Sequence, residues 1–168
     1  MFTNRVRQAI AATLQGLPLM QTIEEFEPPA IEMEMEKMQG GRFIAEEMAK
    51  GAKELTSKLT LQGAGAPVML ALGGSGDGYI LLSVREAGKD QDGNTWFTYH
   101  TIGGTFKSLK EKTLKMGDKP VTEIEIAIRT YNRIENGIVV IDIDTRTQKF
   151  VINGVDLLGD ARRAVLLS

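Results

Sequence analysis

Apolar and charged side chains alternate strictly along Ile31-Glu32-Met33-Glu34-Met35-Glu36. A two-residue period puts Ile31, Met33 and Met35 on one face of a strand and the three glutamates on the other. Gly40-Gly41 then supplies a turn. The same period recurs at 55–61, where Leu55, Ser57, Leu59 and Leu61 alternate with Thr56, Lys58 and Thr60. Residues 79–86 and 95–106 read as two strands joined around Asp92-Gly93. Residues 121–133 and 138–144 form a longer pair around Asn136-Gly137, with Ile124, Ile126 and Ile128 on one face. Asp-Gly and Asn-Gly reach the positive φ that tight hairpin turns require.

The remaining segments are less regular. Val6, Ile10 and Leu14 recur every four residues, which predicts a short amphipathic helix or an ordered arm ended by Gly16 and Pro18. Residues 43–54 stay ambiguous: Ala45 to Ala49 favours helix, and Gly51 weakens it. Residues 66–72 predict a short buried helix that opens on Pro67, followed by a glycine-rich loop over 73–78. Phe150-Val151-Ile152 precedes a second Asn-Gly at 153–154. Arg162-Arg163 and an apolar end follow.

Length and composition fit one soluble domain spanning 1–168, with 1–20 as an N-terminal arm. The net charge of -2 argues against a chain built to coat nucleic acid. Without cysteine there is no disulfide framework, thiolate site or cysteine nucleophile, which fits assembly in a reducing cytoplasm. Gln8, Thr13 and Gln15 interrupt the only stretch resembling a signal peptide. No segment reaches the ~20 apolar residues of a membrane helix, so no membrane anchor is expected.

Catalytic readings find little support. His100 is the single histidine and sits inside a predicted strand, where a structural role is expected. The glycines at 73–78 match neither GxxxxGK[ST] nor a GxGxxG placed between strand and helix. Asp142 and Asp144 share a strand face, but no calcium-loop spacing surrounds them. No enzyme activity, cofactor or metal is expected. The row Glu32, Glu34, Glu36 is different, because three like charges on one face repel one another. Either the row faces solvent, or it faces something specific, such as a polyanion that must not stick.

Several stretches, taken in order, resemble the major tail tube proteins of contractile-tailed bacteriophages and phage-tail-like bacteriocins. In the last third, Val121-Thr122-Glu123-Ile124 opens a strand that reaches Tyr131, and Asn136-Gly137 turns it. Ile141-Asp142-Ile143-Asp144 follows, then Ile152-Asn153-Gly154-Val155-Asp156-Leu157-Leu158 and Arg162-Arg163. Earlier, Pro28, the strand over 31–38 and Gly40-Gly41 match a proline–strand–glycine segment of that family. Three features depart from it: the arm 1–20, Arg42-Phe43 in place of the family's Gly-Met, and residues 44–54, which are more helix-prone than the family pattern.

The resemblance implies a mainly β fold: a small β-barrel or sandwich with long hairpins and one flanking α-helix. It implies six subunits whose strands join into an inner barrel, and rings that stack into a hollow tube. The partners it implies are further copies of the chain, a tail sheath protein, baseplate and tail terminator proteins, and non-specific genomic DNA in the lumen if the particle is a phage. The place it implies is the virion tail tube, assembled in the bacterial host cytoplasm. Within that picture Glu32, Glu34 and Glu36 are expected to face the lumen while the methionines pack inward. Gly40, Gly41, Arg42 and Phe43 are expected in ring stacking, together with the N-terminal arm. Asn153, Gly154, Val155, Asp156, Arg162 and Arg163 are expected at interfaces or as terminal anchors. For Arg162 and Arg163, a role at the negative end of a helix dipole is an equal reading. Two alternatives remain open: the tube protein of a contractile secretion machine, and a monomeric ligand-binding β-barrel.

Overall fold

Long runs of β-branched and alternating residues, punctuated by Asn-Gly and Asp-Gly, leave the chain few options besides antiparallel hairpins. The structure is a computed structural model that describes residues 3–20, 22–63, 68, 70 and 78–165. Twelve strands form along it: β1 (Arg5–Leu14), β2 (Leu17–Pro18), β3 (Ile23–Glu27), β4 (Met33–Met38), β5 (Glu46–Ala52), β6 (Thr56–Gln62), β7 (Tyr79–Asp90), β8 (Thr95–Glu111), β9 (Val121–Glu135), β10 (Ile138–Asp144), β11 (Lys149–Ile152) and β12 (Val155–Asp156). A short helix, α1 (Gly159–Ala164), flanks the end.

Ten strands make one antiparallel sheet, whose main path runs β12-β11-β10-β9-β8-β7-β1-β2. β6 pairs with the first half of β9 and carries β3 on its far side. β10 pairs with the second half of β9. β9 therefore serves two partners along one edge and must bend between them. The bend falls opposite Gly103-Gly104, where the β8–β9 register skips a residue. A Cβ on Gly104 would sit 2.1 Å from the Ala127 carbonyl oxygen, so only glycine allows this approach. Curled this way, the sheet folds over its own core. Leu59 and Leu61 from β6 meet Ile80, Leu82, Ile102, Ile124 and Ile126, all fully buried.

The turns follow the sequence closely. Asn136 and Gly137 have φ of 49° and 83°, and Asn153 and Gly154 repeat the pattern at 50° and 80°. The alternations at 55–61 and 124–128 bury the faces expected of them. The mainly β fold, the long hairpins and the flanking helix are all present. The sheet is open within one protomer.

The arm at 4–14 is not helical. It is a strand, β1, paired with β7 from Arg5↔Asp90 to Leu14↔Leu82. A four-residue spacing is also a multiple of two, so Ile10 and Leu14 turn to the same strand side, with Ala12 between them. The ambiguous stretch resolves as strand too, since β5 pairs with β4 and that pairing outweighs local helix propensity. The helix expected at 66–72 and the glycine loop at 73–78 fall almost wholly outside the described residues.

Candidate assembly surfaces

β4 and β5 form a separate two-stranded sheet, and among the described residues no other strand pairs with it. Every residue of both strands is exposed. Cross-strand pairs share a face, which fixes the hairpin's two sides. Met33, Met35, Lys37, Glu47, Ala49 and Ala52 occupy one; Glu34, Glu36, Met38, Glu46 and Met48 occupy the other. The methionine and glutamate faces read from the sequence are therefore real. The inward packing expected of the methionines does not occur in the protomer, where Met33 and Met35 are 38% and 47% exposed. Glu32 stands at the hairpin root, 3.7 Å from the Lys53 ammonium.

The hairpin tip holds the first group of expected interface residues. Gly40 takes a φ of +57° to turn the chain. The Arg42 backbone N–H donates to the Gln39 carbonyl at 3.1 Å, and the Arg42 guanidinium reaches Glu46 at 2.6 Å. Phe43 is fully exposed, and Ile44 is nearly so.

The second group surrounds α1, beside β11 rather than the hairpin. Asn153-Gly154 turns β11 into β12, and Val155 is exposed. The Arg162 guanidinium donates to the Asp156 carboxylate and, at 3.4 Å, to the Gln148 carbonyl. That first bond holds the Asp156 carboxyl below the usual carboxylate range. Asp156 also accepts the Leu158 N–H at 3.2 Å. Arg163 pairs with Asp160 at 2.5 Å. Both arginines lie in the last turn of α1, where Arg162 ties the helix to Asp156 and Arg163 pairs within the helix.

Sequence reasoning missed two surfaces. The outer face of the main sheet carries an open groove of about 490 Å³, lined by Ala9, Ala11, Ala87, Phe97, Tyr99 and Ile134. Its residues lie on four strands, so no single segment announces it. The Arg85 guanidinium lies 4.7 Å from the Tyr99 ring centre beside it. The second surface is the β8–β9 connection, a lysine-rich strap over 112–120 that is exposed throughout.

The positions weighed for catalysis have structural partners. His100 is buried, with Nδ1 2.8 Å from the Tyr131 hydroxyl and Nε2 3.9 Å from Glu86. Burial drives its pKa down to about 4, and the nearby Arg133 adds to the shift. Asp142 pairs with Lys149 at 2.6 Å. Asp144 accepts the Arg146 N–H at 3.0 Å and so shapes a turn. Among the described residues no three His, Cys, Asp or Glu side chains gather as metal ligands would. No described helix is long and apolar enough to cross a membrane.

The profile of the phage tail tube protein FII family matches residues 6–165. The chain belongs to that family. It is a structural tail tube subunit and so a component of a virion or tail-like particle. Curated protein sequences give no match. Solved structures give several of the same fold. A chain from the sheath/tube terminator of an extracellular contractile injection system, PVC, in its extended state aligns with a TM-score of 0.56 at 9% identity. The alignment covers 75% of this chain and 93% of that one. A chain of the extended PVC sheath-tube complex gives 0.55 at 9%, covering 75% and 88%. A chain of the anti-feeding prophage baseplate gives 0.53 at 12%, covering 80% and 97%. This tail tube family member thus shares its fold with components of contractile injection machines.

Proposed function

We propose that six copies of this chain join into a ring, and that rings stack into the hollow inner tube of a contractile tail or tail-like particle. The observation that carries this reading is the unpartnered β4–β5 hairpin. A two-stranded sheet exposed on both faces is marginal in water, so its methionine face calls for a neighbour. The open sheet adds a second argument. β1 at one side and the short β11–β12 at the other leave edge groups that a ring would pair. With Met33 and Met35 laid on a neighbouring copy, Glu34 and Glu36 remain on the free side and face the lumen. An acidic wall there repels phosphates and keeps a passing polyanion from sticking. The chain performs no catalysis in this role.

The solved structures of similar fold come from a sheath-tube complex, a terminator and a baseplate. They support a sheath around the tube and a baseplate and a terminator at its ends as partners here. They also favour a contractile particle over a monomeric ligand-binding barrel, whose apolar pocket would lie inside the fold. Here the apolar groove lies on the outer sheet face. Negative-stain electron microscopy of the purified protein, alone and with a purified baseplate, tests the reading. Six-fold rings or hollow tubes are expected. A protein that stays monomeric under both conditions overturns it.

A further inference from the structure

Methionine usually fills gaps inside a protein, where its unbranched thioether adapts to irregular space. This chain places it differently. Of eight methionines, six fall on described residues, and all six are exposed. Among the described residues the hydrophobic core is built from Leu, Ile, Val, Ala and aromatic side chains, with no methionine. Four of the six, Met33, Met35, Met38 and Met48, stand on the β4–β5 hairpin. Strand propensity favours Ile or Val at such positions, so the strand itself does not ask for thioethers.

Without cysteine, the thioethers are the only sulfur that a peroxide can reach. The thioether lone pair attacks one peroxide oxygen, the O–O bond breaks, an S–O bond forms, and the other oxygen leaves as water. Sulfur gives up two electrons and the peroxide accepts them. The sulfoxide that results is polar and accepts hydrogen bonds. Water satisfies it on an exposed strand, but it is costly where an apolar neighbour covers it. The two hairpin faces differ in this respect. Met33 and Met35 pair across the strands with Ala52 and Ala49, which offer a sulfoxide no side-chain donor. Met48 pairs with Glu36 on the opposite face.

We infer that Met33 and Met35 are peroxide-sensitive modification sites: sulfoxidation of this pair keeps a protomer from joining its neighbours, and joining shields the pair from the oxidant. The inference rests on the ring reading, in which a neighbouring copy covers the methionine face, and adds a chemical condition on the free protomer. Because the described core holds no methionine, oxidation leaves the sheet itself in place. The block is reversible. A dithiol acting through sulfoxide reductases for both epimers removes the oxygen as water and becomes a disulfide.

Hydrogen peroxide is the probe. Protomers fully sulfoxidised at Met33 and Met35, as read by peptide mass spectrometry, should elongate tubes about ten-fold more slowly than untreated ones, since a covered polar group without a partner weakens each addition. Their urea midpoint should match the parent's, and sulfoxide reduction should restore elongation. Met33→Leu, Met35→Leu protomers should elongate normally and continue after peroxide, whereas Met38→Leu, Met48→Leu protomers should remain sensitive. Peroxide applied to finished tubes should oxidise Met48 and spare Met33 and Met35. Three results overturn the inference and leave the ring reading standing: oxidised parent that elongates at the untreated rate, peroxide that still stops the Met33→Leu, Met35→Leu variant, or equal oxidation of Met33 and Met48 in tubes. Untreated parent that forms neither rings nor tubes, even with a purified baseplate, overturns both.

Discussion

The Nδ1 atom of His100 lies 2.8 Å from the Tyr131 hydroxyl, and both side chains are buried. Glu86 stands on the opposite side of the imidazole, facing Nε2. A proton on Nε2 suits that carboxylate and leaves Nδ1 to accept from the tyrosine. The arrangement serves a neutral histidine. Burial, which disfavours the phenolate, also lifts the Tyr131 hydroxyl to about 12.

The first prediction follows from that neutrality. The unfolded chain takes a proton on His100 below its ordinary value of 6.5, while the folded chain resists until about 4. Between those values the unfolded state binds more protons, so stability falls as pH drops from 6.5 to 4 and levels off below. The loss should be about 3 kcal/mol. Urea unfolding of parent and His100→Gln across this range checks it. The variant should start lower at pH 7 and show a flatter slope.

Gly104 of β8, opposite the bend in β9, should tolerate nothing larger. In Gly104→Ala the new methyl would enter the Ala127 carbonyl, and both strands would have to part. We expect destabilisation of about 3 kcal/mol, at the upper end of ordinary overpacking. A denaturant midpoint unchanged from the parent would show that β9 yields there easily.

Arg162→Ala should free α1 without unfolding the sheet. Amide exchange over 158–165 should quicken several-fold, while the global urea midpoint stays close to the parent's. Acid should loosen the same tether. The Asp156 carboxyl is held low in the folded state, chiefly by Arg162, so its contribution is present at neutral pH and lost as pH falls below 3.8. Exchange that stays slow in the variant would mean the helix is held otherwise.

Replacing Glu32, Glu34 and Glu36 with Gln should leave assembly intact and change what the tube admits. At low salt, variant tubes should retain several-fold more labelled DNA than parent tubes, and added salt should erase the difference. Equal retention would remove the lumen assignment of these residues.

Much of this architecture was legible because turn chemistry is local. Asn136-Gly137 and Asn153-Gly154 announce their hairpins within two residues, and the Ile124, Ile126, Ile128 row announces its buried side. β1 was not legible as a strand, since Val6, Ile10 and Leu14 satisfy a helical period and a strand period alike. Glu46 to Ala52 carries helix-prone residues, and only its pairing with Met33 to Met38 makes it a strand. The alternation at 31–36 gave the two faces correctly. It did not reveal that both are exposed, because a local period does not encode whether another strand or layer covers a face. The groove under Tyr99 and Ile134 escaped notice for a related reason: register alone brings its residues together.

The isolation of the β4–β5 hairpin has a kinetic consequence. A protomer on its own gains little from holding that hairpin still, whereas a protomer arriving at a formed ring receives surfaces that hold it. The ordering cost is met in full at each first encounter and only in part at every later addition. Growth should therefore begin with a lag, proceed from existing ends, and lose the lag when sheared tubes are added. On the proposed tube reading, such a chain is expected to stay dispersed until something presents it with a finished edge, which hands the timing of polymerisation to whatever supplies the first ring.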